Sequence, residues 1–207
     1  KFTVVLSDKL IQYAVLLQTV AAFFSILILL RMYYKDYRKR RFVFGRKDTA
    51  CPWWGLLIPI GILVSLAGNL LINLTNLTEV SENFEQSQKL LFSGPFVIQI
   101  VGIGMIIPIC EELIYRGLIF MRMRQYCNVN LAIGLSALLF AVFHGNVVQG
   151  IYGFATGVLF AYVYEKYGSL KAPVLVHVSA NLMSLGLSYV NPSFADRGRV
   201  FIVGIAA

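Results

Sequence analysis

The sequence predicts an all-α, polytopic bundle of about seven membrane-spanning helices, and three observations lead there. Hydrophobic residues fill 58% of the chain and charged residues only 14%, against roughly 25% charged in a soluble domain. The apolar residues gather into long stretches with no strand-like alternation and no internal repeat. The cations cluster beside those stretches, as the positive-inside rule requires.

The stretches follow in order. The first covers about residues 10–30. Arg31, Lys35, Arg38, Lys39, Arg40, Arg41, Arg46 and Lys47 come next, with only Asp36 and Asp48 to oppose them. That asymmetry assigns residues 31–50 to the cytoplasm, and it also offers a polybasic surface to anionic membrane lipids. Trp53 and Trp54 mark an interface, from which a second span runs to about Ile72. Residues 73–89 are polar and, by alternation, external. Within them Asn73-Leu-Thr75 and Asn76-Leu-Thr78 fit the glycosylation sequon, a weak pattern.

The third region, residues 90–120, carries Pro95 and Pro108. At ~1.5 Å per residue it is too long for one untilted span, so a break near Pro108 is expected. Arg122 and Arg124 close it. Residues 131–143, 147–164 and 173–190 give three further stretches, and 191–207 read as the start of a last, truncated span. Gly153 and Gly157 are four residues apart, the small-xxx-small spacing of close helix packing. The chain thus divides into N-terminal spans with a basic loop (1–89), a core (90–190) and a terminal piece (191–207).

A net charge of +8 raises nucleic-acid binding, but the cations flank apolar spans and no nucleic-acid motif accompanies them, which excludes that class. Cys51, Cys110 and Cys127 form neither a CxxC pair nor a disulfide framework. Cys110 reads as a small apolar filler.

The functional signal is a set of ionisable groups at membrane depth. Glu111, Glu112 and Arg116 follow directly on an apolar run, and both histidines of the chain, His144 and His177, lie in apolar segments. Such groups cost several kcal/mol each at the bilayer centre and mark function. Glu112 and Arg116 are i,i+4 in the favourable order for an ion pair. Glu111 lies ~100° round the helix, free to project into the bundle as a general base; the reverse assignment of the two glutamates stays open. His177 and Asn181 share one helix face, as do Phe140 and His144. Polar groups in lipid need partners, so these residues are expected to meet in one site.

Several chemistries lack their residues. Gly134-Leu-Ser136-Ala137 lacks the last glycine of a rhomboid-type serine motif. There is no HExxH, and Gly102-Ile-Gly104-Met105 lacks the aspartate of the presenilin type. What remains is a carboxylate that activates water, with His and Asn side chains holding the oxyanion. A zinc version is also open, with His144, His177 and Glu111 as ligands and water as the fourth.

The residues resemble a known family. Glu111-Glu112-x-x-x-Arg116, Phe140-x-x-x-His144 and His177-x-x-x-Asn181, in that order on separate apolar segments, are similar to the three motifs of the CAAX prenyl endopeptidase type II family. It is also called the CPBP (CAAX protease and bacteriocin-processing, or Abi) intramembrane protease family. The resemblance covers residues 90–190 and implies a helical intramembrane endopeptidase acting on a peptide or protein substrate. That substrate is lipidated in eukaryotic members; bacterial members are linked to bacteriocin processing or self-immunity. By motif, Glu111 would be the water-activating base and Glu112 its support with Arg116. His144, His177 and Asn181 would orient water or stabilise the oxyanion. Members of the family have been called metalloproteases, and a metal-free glutamate mechanism is argued for them as well. On the residues, with Glu112 held by Arg116 and Asn181 a poor ligand, no cofactor is favoured and zinc is the alternative. Short loops point to a bacterial cell membrane, with the endoplasmic reticulum the eukaryotic equivalent. Two other classes compete: a non-catalytic scaffold or immunity protein, and a transporter with a Glu/His proton relay. The free glutamate weighs against the first, the lack of an inverted repeat against the second.

Overall fold

A computed structural model describes residues 8–40, 53–75, 87, 90–92 and 94–190. The expectations for residues 41–52, for most of 76–89 and for 191–207 lie outside the described residues. Helix α1 is Asp8–Arg40, α2 Leu57–Thr75, α3 Phe96–Met123, α4 Val129–Val142, α5 Val147–Tyr167 and α6 Lys171–Val190. Among the described residues, five helices are long and apolar enough to cross a membrane, and α4 is a shorter apolar one.

Two boundaries differ from expectation. First, α1 continues through residues 31–40, which the sequence placed in a loop. Its Arg, Lys and Tyr residues hold a helix, and neither Gly nor Pro interrupts them. Second, α3 does not break at Pro108. The missing proline N–H is absorbed by a wide turn over Gly102–Ile106, where the Ile107 N–H bonds the Gly102 carbonyl. A second wide turn covers Leu113–Phe120. Wide turns keep a helix continuous while rotating its side chains, and they recur at functional sites.

Helix α2 packs along α6, and α4 along α5. In the first pair Ser65 and Ser184 hydroxyls lie 2.7 Å apart, and Asn69 Nδ2 donates to the Ser184 hydroxyl at 3.3 Å. These bonds join helices in a medium that offers little hydrophobic drive. In the second pair a Cβ on Gly157 would stand 3.0 Å from Ala137 Cα, so the predicted small-residue contact is used there.

Polar contacts gather at one end of the bundle. Arg122 Nε meets Asp36 Oδ2 at 2.8 Å, Arg124 reaches both Glu165 oxygens at 3.1 Å, and the Trp54 and Tyr167 rings lie 5.3 Å apart. The C-terminal ends of α1, α3 and α5 therefore share a level with the start of α2. We call this the basic end.

The depth of His144 follows from helix length. With 14 residues, α4 rises only about 21 Å from the basic end, short of the ~30 Å hydrocarbon core. His144, just beyond it, therefore stays inside the bundle, where α3 carries its glutamates. A short α4, not a broken α3, brings the two to one region.

Candidate active site

Three elements deliver the site. Helix α3 carries Glu111, Glu112 and Arg116, the α4–α5 corner carries His144, and α6 carries His177 and Asn181. All six are buried.

Arg116 is bound through both of its terminal nitrogens. Its Nη1 donates to Glu112 Oε1 at 2.9 Å, the pair the i,i+4 spacing predicted. Its Nη2 donates to the Gly157 carbonyl at 3.0 Å. The guanidinium also lies 4.5 Å from the Phe140 ring centroid and 5.2 Å from that of Phe160, contacts worth about 2 kcal/mol when desolvated. Gly157 thus has two uses: it lets α4 approach, and it leaves its carbonyl open to Arg116.

His177 joins the two carboxylates. Its Nδ1 is 2.9 Å from Glu112 Oε1, and its Nε2 is 3.8 Å from Glu111 Oε2. Phe160 stacks on the ring, with centroids 4.7 Å apart and planes at 24°. A carboxylate paired with Arg116 only accepts hydrogen bonds, so Nδ1 carries a proton, and the second nitrogen faces Glu111. Two carboxylates and one guanidinium leave one net negative charge. One further proton, on His177 or Glu111, makes the buried cluster neutral. The glutamates are unequal: the Glu112 side chain is fully buried and that of Glu111 is 10% exposed.

His144 Nδ1 donates to the Phe140 carbonyl one turn back, and Phe140 stands edge-on to its ring at 4.7 Å. Gly153 leaves room for the imidazole, since a Cβ there would lie 3.4 Å from His144 Cε1. His144 Nε2 is buried and meets no hydrogen-bond partner among the described residues. With Nδ1 protonated, the neutral ring presents Nε2 as an acceptor.

Asn181 makes a backbone contact across helices. Its Nδ2 donates to the Ile103 carbonyl at 3.0 Å, inside the first wide turn of α3. It ties α6 to the backbone beneath the glutamates.

The zinc alternative needs His144, His177 and Glu111 to converge. Among the described residues no group of three or more His, Cys, Asp or Glu side chains is placed to hold a metal ion.

The motifs passed over two groups that touch the site and one buried side chain on the same helix. Phe160 and the Gly157 carbonyl were hidden because an aromatic and a glycine in an apolar helix look like packing. Gln149 was hidden in the same way: it is buried, and its Oε1 accepts from Asn146 Nδ2. Asn146 in turn caps α5 by accepting from the Gln149 N–H at 2.8 Å. The spacing of Gln149, Gly153, Gly157 and Phe160 along the inner face of α5 was the available signal.

Residues 93–183 match the Rce1-like family of type II CAAX prenyl endopeptidases. All six site residues fall inside that segment, and the likeness carried by the three motifs holds. Over 182 residues the chain is also 23% identical to "Putative membrane peptidase YdiL" of Bacillus subtilis (strain 168), covering 84% of this chain and 72% of that protein. No solved structure matches. An Rce1-like segment within a multi-pass helical bundle supports an intramembrane protease acting on peptide or protein substrates.

Proposed function

We propose that this chain is an intramembrane endopeptidase in which Glu111 activates a water molecule for direct attack on a peptide carbonyl. The observation that carries this reading is the His177 ring, which touches Glu112 through one nitrogen and faces Glu111 through the other. Glu112 is held by Arg116 and His177 and so acts as the fixed support. Glu111 is left as the carboxylate that meets water.

The reaction starts from ionised Glu111. A water proton passes to Glu111 while the water oxygen bonds the carbonyl carbon, and the carbonyl π pair moves onto oxygen. The fixed charge of Arg116 favours the developing oxyanion electrostatically. His144 Nε2 accepts the second hydrogen of the water and orients it. When the intermediate collapses, the C–N bond breaks and Glu111 returns its proton to the leaving nitrogen. A general base of this kind contributes about 10²–10⁴ in rate, and more where it makes the only nucleophile.

The reading needs no metal: Glu112 is engaged twice over, which leaves Glu111 as the sole carboxylate for either base or ligand, and one group cannot freely serve as both. The experiment is a comparison of membrane peptides from cells carrying wild type or Glu111→Gln. A cleavage product present in the first and lost in the second is expected. Identical product sets, with both proteins folded and abundant, would overturn the proposal.

A further inference from the structure

Along α1 the side facing away from the bundle carries two bands in succession. The first is apolar and exposed, and includes Leu17, Phe24, Leu27 and Ile28. The second is a groove of about 510 Å³ lined by Arg31, Tyr34, Lys35, Arg38 and Lys39. At ~100° per residue both bands lie on one helix face, opposite Ile26, Leu29 and Tyr33, which pack into the bundle.

No acidic residue lines the groove. Asp36, the acid within this stretch, turns to the other side and is bound by Arg122. Arg31, Lys35, Arg38 and Lys39, each three or four residues from another of the set, repel one another, and a bound anion relieves that cost. The groove lies at the basic end of the bundle, level with the Asp36–Arg122 pair. From Leu17 to Ile28 the apolar band rises about 17 Å, close to half of a ~30 Å hydrocarbon core. An apolar band one leaflet deep, ending in a cationic groove, complements an amphiphile with a negative head. Free phosphate would use only the second band.

We propose that this face of α1 binds an anionic phospholipid of the leaflet at the basic end, with the phosphate on Arg31, Lys35 and Arg38 and the acyl chains along Leu17 to Ile28. The site lies outside the proposed catalytic cluster, so its failure would leave that reading standing.

The test uses the full chain in neutral detergent, titrated with phosphatidylglycerol, phosphatidylcholine or inorganic phosphate while thermal stability and retained lipid are followed. Saturable binding and stabilisation by phosphatidylglycerol alone are expected. Each cation is worth about fivefold at a membrane surface, so Arg31→Gln with Arg38→Gln should weaken binding about 25-fold. Arg31→Lys with Arg38→Lys should retain most of it, and Lys166→Gln with Lys171→Gln, an equal charge removal elsewhere, should change little. Equal response to both lipids, an equal effect of inorganic phosphate, or equal losses in the two Gln pairs would overturn the proposal. The lipid comparison on wild type decides it even if a variant fails to fold.

Discussion

The Nδ1 of His177 donates to Glu112 Oε1 at 2.9 Å, joining α6 to α3 across 65 positions of sequence. The same oxygen receives Arg116 Nη1, so Glu112 is a junction between α3 and α6. Glu112→Gln should therefore lower stability by about 3–5 kcal/mol, the cost of stranding a buried charge. Glu111→Gln should leave the melting temperature in detergent near wild type while removing hydrolysis. A larger melting loss from Glu111→Gln would reverse the two roles.

His177 separates structure from chemistry by atom. An asparagine amide at this position can reproduce the Nδ1 donor but not Nε2. His177→Asn should melt closer to wild type than His177→Leu, and both should be inactive. If His177→Asn retains activity, the nitrogen facing Glu111 plays no part in the reaction.

The aromatic walls of Arg116 should register as stability. Phe160 contacts both the guanidinium and the His177 ring. Phe160→Leu keeps an apolar side chain but removes the π face, and should cost about 1–2 kcal/mol. Leu182→Ala, a trimming of a partly exposed residue on α6, serves as the comparison. Unfolding curves in detergent distinguish them, and a smaller loss for Phe160→Leu would remove the cation–π argument.

Glycines on neighbouring helices should respond in opposite directions. A Cβ on Gly157 meets the α4 backbone, so Gly157→Ala should cost about 1–3 kcal/mol by overpacking. Gly186 has open space around its missing Cβ, and Gly186→Ala should be neutral or stabilising by up to about 1 kcal/mol. Melting temperatures of the two variants check the pair.

Metal dependence gives a separate test of the water-activation reading. Activity should survive chelator titration of the purified protein. Stoichiometric zinc that leaves together with activity, and restores it on return, would show that Glu111 is a ligand instead.

The sequence by itself determined the helical class, because backbone in lipid is satisfied only in a helix or a closed barrel, and long apolar stretches without strand-like alternation fit the helix. It also determined the Glu112–Arg116 pair, because i,i+4 geometry is local and needs no tertiary information. The order of the three motifs identified the segment that turned out to match the Rce1-like family. Tertiary structure decided what depends on helices meeting. It placed His177 against both glutamates, set Phe160 and the Gly157 carbonyl on Arg116, and turned Asn181 to the Ile103 carbonyl. None of these has a sequence spacing, since each partner lies on a different helix and its approach is fixed by packing. The continuous α3 belongs with them. Whether Pro108 breaks a helix or is absorbed by a wide turn depends on how neighbouring elements satisfy the freed carbonyls, and here Asn181 of α6 satisfies one of the carbonyls in that turn.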